Sequence, residues 1–320
     1  MQKRIYKTID LFAGIGGIRL GFENTGHFQT VYANDYEPKC KITYDLNFPT
    51  VKLDVRDIRE VRSGDLPAYD ILLGGFPCQA FSIAGYRQGF NDEKGRGNLF
   101  FEVERLLKES KPEALLLENV KNLETHDNGN TFKIIIQRLE DLGYNLKTKV
   151  LNTMEYGGIP QNRERIYIVG FLDKKKANNF SFPHKIPLKK SIKDMLETEN
   201  VEQKYIYNDK PLYEKIRDDI TSENTTYQWR RKYVRENKNG VFPTLTANMG
   251  TGGHNVPIIK QGKILRKITP RECANVQGFP KDFQLPQDLA TSHLYKQFGN
   301  SVSVTVLERI AENMYKALEL

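Results

Sequence analysis

Short apolar segments alternate with segments of helical periodicity over the first half of the chain, and this alternation most constrains the fold. The predicted strands are Lys7–Phe12, Thr30–Asn34, Tyr69–Gly74, Ala114–Glu118, Lys147–Leu151 and Arg165–Phe171. Amphipathic segments lie between them, among them Leu99–Lys108 and Thr131–Leu142. Strands separated by helices predict an α/β fold with a mainly parallel, Rossmann-like sheet and helices on both faces.

The character of the chain changes after Phe171. From Lys174 to about Lys263 it is rich in Lys, Asn, Tyr and Pro with weak periodicity, which predicts a smaller, irregular domain. A helical pattern returns over Val302–Leu318, and that helix needs a core to cover. We therefore predict a first domain of residues 1–173 plus 297–320, a second of residues 174–265, and a connection of residues 266–296.

Net charge and cysteine content indicate which partners and metal sites the protein can have. The 48 Lys and Arg exceed the 40 Asp and Glu by eight, which suits a polyanionic partner, although many other soluble proteins are as basic. Three widely spaced cysteines argue against a disulfide framework and a structural zinc site, so we predict no metal. With no signal peptide and no 18-residue apolar run, we expect a cytoplasmic protein with no membrane partner.

A glycine-rich loop, Asp10–Gly17, follows the first predicted strand and begins a helix. Clustered glycines let backbone N–H groups approach a ligand at a helix N-terminus. A dinucleotide fingerprint would need glycine at position 19, where the chain has Arg19, so the sequence disfavours NAD. Asp35 ends the second strand and suits ribose hydroxyls, while Asp54 suits an adenine amino group. Taken alone, the loop fits a nucleotide site and a plain strand–turn–helix equally well.

A Pro-Cys step, Pro77-Cys78, stands on a loop after another predicted strand, where open sheets bind ligands. The segment after it, Ile83–Gly97, has four glycines and three basic residues, a composition that suits a mobile lid. A thiol with a pKa of about 8.5 is mostly protonated at pH 7, so a nucleophilic cysteine needs activation. A small buried cysteine is the commoner case, and Cys40 and Cys273 keep that interpretation.

Three charged residues stand at the ends of predicted strands. Glu118 ends an apolar strand, where burial would raise the pKa of its carboxyl and let it hold or share a proton. Arg163 and Arg165 alternate before another strand and therefore point to one face, where a guanidinium suits a base carbonyl. Each group is also typical of an ordinary strand end and decides nothing alone.

Six segments stand in a distinctive order along the chain: DLFAGIGG, GGFPCQAFS, LLLENV, PQNRERIYIVGF, TPRECANVQGFP and QFGNSV. This series resembles that of the DNA cytosine-C5 methyltransferase family, of the bacterial restriction-modification type. It spans nearly the whole chain except Phe171–Leu265, where the family keeps a variable target-recognition domain. The resemblance implies the fold of AdoMet-dependent methyltransferases, S-adenosyl-L-methionine as cofactor and double-stranded DNA as substrate.

By this resemblance Cys78 is the nucleophile that adds to C6 of a cytosine flipped out of the duplex. Glu118 engages N3 and the exocyclic amine, Arg165 contacts O2, and Arg163 supports Arg165. Methyl transfer to C5, loss of the C5 proton and elimination then release the cysteine. The family's cofactor-binding positions match Phe12, Gly14, Gly16, Asp35, Asp54, Val55, Asn300, Ser301 and Val302.

The predicted DNA contacts fall on the loop after Cys78 and on the predicted recognition domain. In that domain Thr226–Arg235 interleaves aromatic and basic residues, which suits phosphate contacts, although outside the family context a solvated helix face would be preferred. The Thr-Leu pair that follows is the family's mark of the recognition domain. The predicted contacts are Ser82, Arg87, Arg96, Arg230, Arg231, Thr244 and Leu245.

The resemblance implies methylation of one cytosine in a short G·C-rich site, of the GCNGC type. The expected role is protection of host DNA by a monomer, with a cognate restriction endonuclease that acts on the same site without direct contact. The alternatives are a tRNA cytosine-C5 methyltransferase and a catalytically silent paralogue that binds nucleic acid. A sizeable variable domain favours DNA over tRNA, and the presence of Cys78, Glu118 and Arg165 argues against a silent paralogue.

Overall fold

The structure is a computed structural model that describes residues 4–77, 99–198, 201–237, 239–251 and 255–320. Four predicted site residues lie outside the described ranges: Cys78, Ser82, Arg87 and Arg96.

The first half of the chain forms a six-stranded sheet. Its strands and one short additional strand are β1 (Tyr6–Leu11), β2 (Phe28–Asn34), β3 (Ile71–Gly74), β4 (Ala114–Val120), β5 (Asn145–Asn152), β6 (Gln161–Asn162) and β7 (Glu164–Phe171). All but β6 join in the order β2-β1-β3-β4-β7-β5, with β7 antiparallel to both of its neighbours and the first four parallel. The six predicted strands match these within two residues at either end, which confirms the mainly parallel sheet.

Helices cover both faces of the sheet. Those of the first half are α1 (Gly17–Glu23), α2 (Pro38–Asn47), α3 (Leu99–Ser110), α4 (Asn130–Asp141), α5 (Thr153–Tyr156) and α6 (Lys174–Asn179). On one face, α3 and α4 bury apolar side chains against strand residues such as Leu115. On the other, α1 buries Phe22 in a second core with Leu116. Successive residues of β4 point to opposite faces, so its continuous apolar run is explained by two covered faces.

The last part of the chain returns to this domain, as its helical pattern predicts. The remaining helices are α7 (Tyr213–Ile216), α8 (Pro270–Gln277), α9 (Thr291–Asn300) and α10 (Val304–Glu319). Helix α10 buries Leu307, Ile310 and Met314 in the core shared with α1. Gly21 permits the close approach of the two helices, because a Cβ there would lie 2.5 Å from the Leu307 Cβ.

The predicted recognition domain contains a small antiparallel sheet. The strands here are β8 (Thr226–Trp229), β9 (Val234–Asn237), β10 (Phe242–Pro243), β11 (Ile258–Gln261) and β12 (Ile264–Lys267), of which four join in the order β12-β11-β8-β9. Tyr227 enters a compact core with Ile216, Ile258 and Leu265. The segment Thr226–Arg235 is therefore a β-hairpin with its basic residues near the turn, and not a helix face.

Two contacts cross the predicted domain boundaries. Ala177 and Phe180, beyond residue 173, pack in the core with Phe171, because α6 covers the edge of the sheet. Helix α9, of which residues 291–296 were placed by sequence in the connection, lies against the start of α2, where Lys296 Nζ is 2.9 Å from Glu37 Oε2. Of the helices in the described ranges, none has the length and apolar character needed to cross a membrane.

Candidate active site

A cavity of about 980 Å³ opens at the carboxyl ends of β1, β2, β3 and β4. Its walls include the glycine-rich loop after β1, the residues after β2, Gly75–Pro77 after β3 and the end of β4. Helix α9 and Asn300–Val302 close the opposite side. Ligands of open α/β sheets bind at this edge, so the topology places a binding site where the sequence motifs converge.

The glycine-rich loop meets the segment before α10 inside this cavity. Gly14 has a φ of +54° and donates its N–H to Asp35 Oδ2 over 2.9 Å. A Cβ at Gly17 would lie 2.7 Å from Ser301 Oγ and 2.8 Å from a Val302 methyl, so only glycine fits the contact. The structure therefore brings together six predicted cofactor residues along the cavity wall: Phe12, Gly14, Asp35, Asn300, Ser301 and Val302.

Three predicted cofactor residues are not among the described residues that line the cavity: Gly16, Asp54 and Val55. The missing side chain of Gly16 makes room for the Phe48 ring. The Asp54 carboxylate is held by Arg56 Nη2 at 2.7 Å and the Tyr32 hydroxyl at 2.9 Å. Asp54 instead acts through its main chain, whose carbonyl accepts the Asp35 N–H over 3.0 Å. A ligand contact of the Asp54 carboxylate stays a prediction.

Asp35 and its neighbour form one wall of the cavity. The second carboxylate oxygen of Asp35 accepts the Glu37 N–H at 2.9 Å, and burial raises the pKa of the carboxyl above its usual range. Sequence reasoning missed the next residue, Tyr36, which lines the cavity with 67% of its surface exposed. An aromatic side chain left open in a cavity suits stacking against a flat ring. The signal in the sequence was an aromatic residue directly after the strand-end acid.

Glu118 and Arg165 form an ion pair in the same cavity, with Arg165 Nε 3.1 Å from Glu118 Oε1. Arg165 on β7 is the register partner of Val120 on β4, so Glu118, two residues from Val120, is its diagonal neighbour on one sheet face. Burial raises the pKa of the Glu118 carboxyl, and the positive charges of Arg165 and Arg163 oppose that shift. Oε1 is buried and makes no hydrogen bond with a described residue, although Arg165 lies within ion-pair distance of it.

Arg163 has a different environment from Arg165. Its buried guanidinium donates hydrogen bonds to the Leu245 carbonyl at 2.9 Å and to the Ser301 carbonyl. Burial and the neighbouring charge of Arg165 lower its pKa to about 9, so it stays protonated at pH 7. Arg163 therefore fastens the Thr-Leu segment and the cofactor wall to β7, which is a wider role than support of Arg165 alone.

Two buried amides, which sequence reasoning missed, extend this network. Gln161 accepts the Leu245 N–H at 3.2 Å and donates to the Val276 carbonyl at 2.8 Å. Gln277 donates to the Phe298 carbonyl over 2.7 Å. Because buried polar groups are costly unless paired, these bonds fix the positions of three separate chain segments. A glutamine two residues before Arg163 was the available signal.

The predicted DNA contacts within the described ranges divide by exposure. Arg230 and Arg231 are exposed at the β8–β9 turn, and Thr244 is half-buried, its hydroxyl donating to the Asn162 carbonyl over 2.7 Å. Leu245 is fully buried, in contrast to the predicted DNA contact, because its side chain packs in the core beside Phe242. Its functional group is the main chain, which binds Gln161 and Arg163.

A model of the family "C-5 cytosine-specific DNA methylase" matches residues 6–316. The chain belongs to this family. Among C-5 cytosine-specific methylases, it is 56% identical over 311 residues to the type II methyltransferase M.Bsp6I of Bacillus sp. (strain RFL6), covering 96% of this chain and 98% of that one. M.HaeII of Haemophilus aegyptius is 42% identical, covering 98% and 94%. Among solved structures, S. pombe Dnmt2 has a TM-score of 0.76 at 21% identity, covering 98% and 100%, which supports the fold alone.

The cavity of this C-5 methylase fits S-adenosylmethionine, the methyl donor that its family uses. A half-buried acid at the end of β2, an open aromatic ring and a glycine loop at a helix N-terminus are the groups that a nucleoside with an amino-acid tail requires. Ligand pockets commonly measure about 300–1,000 Å³, and this cavity is at the upper end. The Glu118–Arg165 pair lines the same cavity as these groups.

Proposed function

We propose that this enzyme methylates C5 of one cytosine in a short double-stranded DNA site and flips that base into the cavity. The observation that carries the proposal is the Glu118–Arg165 pair, which lies in the same cavity as the glycine-rich loop and Asp35. A raised carboxyl pKa and an adjacent guanidinium complement N3 and O2 of cytosine. A stacked base is beyond reach of such a buried pair, so the cytosine must leave the helix.

The residues divide the chemistry among them. The thiolate of Cys78 adds to C6, which makes C5 nucleophilic, and Cys78 is proposed from the sequence because it lies outside the described residues. Glu118 holds a proton at N3 and Arg165 places positive charge at O2, so both stabilise the negative charge that addition creates on the ring. Bound S-adenosylmethionine supplies the methyl group. Loss of the C5 proton and elimination of the thiolate restore the aromatic ring.

The remaining cofactor assignments belong to the same proposal. Asp35 binds the ribose hydroxyls and Tyr36 stacks on the adenine, while Phe12, Gly14 and Asn300–Val302 surround the rest of the cofactor. We also propose a G·C-rich site of the GCNGC type, action as a monomer, and a role in restriction-modification with a cognate endonuclease. The relatives M.Bsp6I and M.HaeII, named as type II methyltransferases, support that role.

Trapping on 5-fluorocytosine tests the mechanism. Fluorine at C5 cannot leave as a cation, so a duplex with 5-fluorocytosine at the target should hold the enzyme in an adduct that survives denaturing electrophoresis. Cys78→Ser should abolish the adduct, because a hydroxyl stays protonated near pH 7 and is a far poorer nucleophile. Bisulfite sequencing of DNA from cells that express the enzyme supplies the site for that duplex and reports substrate and site together.

The two other cysteines provide matched controls. Cys40 and Cys273 are buried, and burial raises the pKa of each thiol above its usual range, which disfavours the reactive thiolate. Cys40→Ser and Cys273→Ser should therefore leave the adduct intact. An adduct that persists in Cys78→Ser, or that requires Cys273, would show that the nucleophile is misassigned. Trapping on a fluorinated tRNA and not on DNA would select the tRNA alternative.

A further inference from the structure

A cleft of about 670 Å³ opens between the small antiparallel sheet and the Thr-Leu segment. Its described lining is strongly polar, with two arginines, five asparagines, one glutamine and one glutamate. Asn162 on β6 lines this cleft, while Arg163, the next residue, lines the cavity of the active site. The two sites therefore meet at the end of β6, so we expect a duplex with its target base in the cavity to contact the cleft.

Hydrogen bonds link the two arginines of the cleft through amide groups. Arg235 Nη2 donates to Gln228 Oε1 over 2.6 Å, and Gln228 Nε2 donates to the Asn255 carbonyl over 3.2 Å. Arg230 Nη1 donates to Asn255 Oδ1 over 3.2 Å. Gln228 is 6% exposed, whereas both arginines are exposed. A buried amide thus orients Arg235, whose Nη2 also donates to Asn237 Oδ1 over 3.5 Å, and both residues line the cleft.

The partner of Arg235 distinguishes it from ordinary surface arginines. Arg217 pairs with the Glu214 carboxylate, and Arg56 pairs with Asp54 and Asp65. In the part of the chain that the structure describes, neither Arg230 nor Arg235 has a carboxylate within ion-pair distance, although Glu236 lines the same cleft. A neutral amide orients a guanidinium without neutralising it, so the charge and the free N–H groups stay available for a ligand.

We propose that Arg235, positioned by Gln228, recognises a guanine next to the target cytosine and is a specificity-determining residue of the enzyme. Guanine presents O6 and N7 as two acceptors in the major groove, and the planar guanidinium fork binds both at once. This inference rests on the proposed function, because it requires a duplex DNA substrate. It adds to that function the base that is read and the side chain that reads it.

Methylation of a duplex library tests this assignment. The bases around a fixed cytosine are randomised, and sequencing after bisulfite conversion gives the preference at each position for wild type, Arg235→Ala, Gln228→Met and Arg217→Ala. A bidentate arginine–guanine contact contributes roughly 5- to 150-fold discrimination, so Arg235→Ala should lose about that much preference for guanine at one position. Gln228→Met removes the acceptor but keeps side-chain length, and should relax the same position to a smaller extent.

The other outcomes separate this inference from the function on which it rests. Arg217→Ala should retain the wild-type preference, since Arg217 stands outside the cleft and pairs with Glu214. If Arg235→Ala slowed methylation of all sequences equally and lowered the salt dependence, Arg235 would be a phosphate contact and the inference would be wrong. If wild type methylated no duplex at all, the proposed function itself would fail, before any question of guanine recognition.

Discussion

The active-site cavity and the recognition cleft meet at the end of β6, yet they hold their arginines in opposite ways. Arg163 is buried, and main-chain carbonyls from two distant segments fix its guanidinium. Arg235 is exposed, and the side-chain amides of Gln228, at 2.6 Å, and Asn237, at 3.5 Å, orient it. Main-chain partners persist when side chains are substituted, whereas an arginine held by a glutamine depends on that glutamine. The cavity therefore tolerates little change in geometry, while the cleft can change specificity through its side chains.

Glu118 should show the largest effect in the cavity. Glu118→Gln keeps the shape of the side chain but removes the proton that is held at N3, so kcat should fall by about 10²- to 10⁴-fold, as for loss of a general acid. Because burial raises the pKa of Glu118, wild-type kcat should fall as pH rises through that pKa, and the variant should lack this decline. Single-turnover rates between pH 5 and 9, with calorimetry of cofactor binding, provide the measurement.

The affinity for S-adenosylmethionine is the control measurement for Glu118→Gln. Glu118 pairs with Arg165 and not with Asp35, the proposed contact to the cofactor. Glu118→Gln should bind S-adenosylmethionine within about twofold of wild type. If Glu118→Gln kept the wild-type kcat and pH profile, the proposed role of this carboxyl in proton transfer would be wrong. The ion pair with Arg165 would then have a structural role only.

Arg163 should show the next largest effect, on stability. Arg163→Met removes the donor of the Leu245 carbonyl and leaves the Ser301 carbonyl with only a 3.5 Å hydrogen bond from Gln277. Each unsatisfied group costs about 1–3 kcal/mol, so the free energy of unfolding should fall by about 2–5 kcal/mol. Urea unfolding measures the loss. Arg235→Ala should change it by less than about 0.5 kcal/mol, because the residue is exposed. Equal losses in the two variants would remove the contrast between cavity and cleft.

The contrast also explains what the sequence could reveal. The strands of the first domain were predictable because both faces of the sheet are covered. A strand buried on both faces is apolar at every position, as Ala114–Leu117 is. Glu118 and Arg165 were predicted from strand ends and the family motifs. Their contact depends on β7 being placed beside β4, a neighbour from 44 residues farther along the chain.

The network around Arg163 could not be predicted in the same way. Leu245 stands in a polar segment whose composition indicates a surface, but its burial depends on Gln161 and Arg163, more than 80 residues away. The secondary structure of Thr226–Arg235 could not be predicted either, since interleaved aromatic and basic residues fit a helix face and a β-hairpin equally well. Only the pairing of β8 with β9 and the core around Tyr227 decide between them.

The smallest expected effect is on cofactor affinity, and it is tested by substituting the two acids, Asp35 and Asp54, that the sequence assigned to the cofactor. Asp35→Ala removes a carboxylate that faces the cavity and holds the Gly14 and Glu37 N–H groups, and hydrogen bonds to charged groups contribute about 1.5–3 kcal/mol. Calorimetry should therefore show S-adenosylmethionine binding weakened by roughly 10- to 100-fold. Asp54→Ala should weaken it less, because that carboxylate binds Arg56 and Tyr32 and acts on the site through its carbonyl. If Asp54→Ala weakened binding as much as Asp35→Ala while thermal unfolding stayed at the wild-type midpoint, the adenine contact predicted from the sequence would be correct. The carboxylate of Asp54 would then have to leave Arg56 when the cofactor binds.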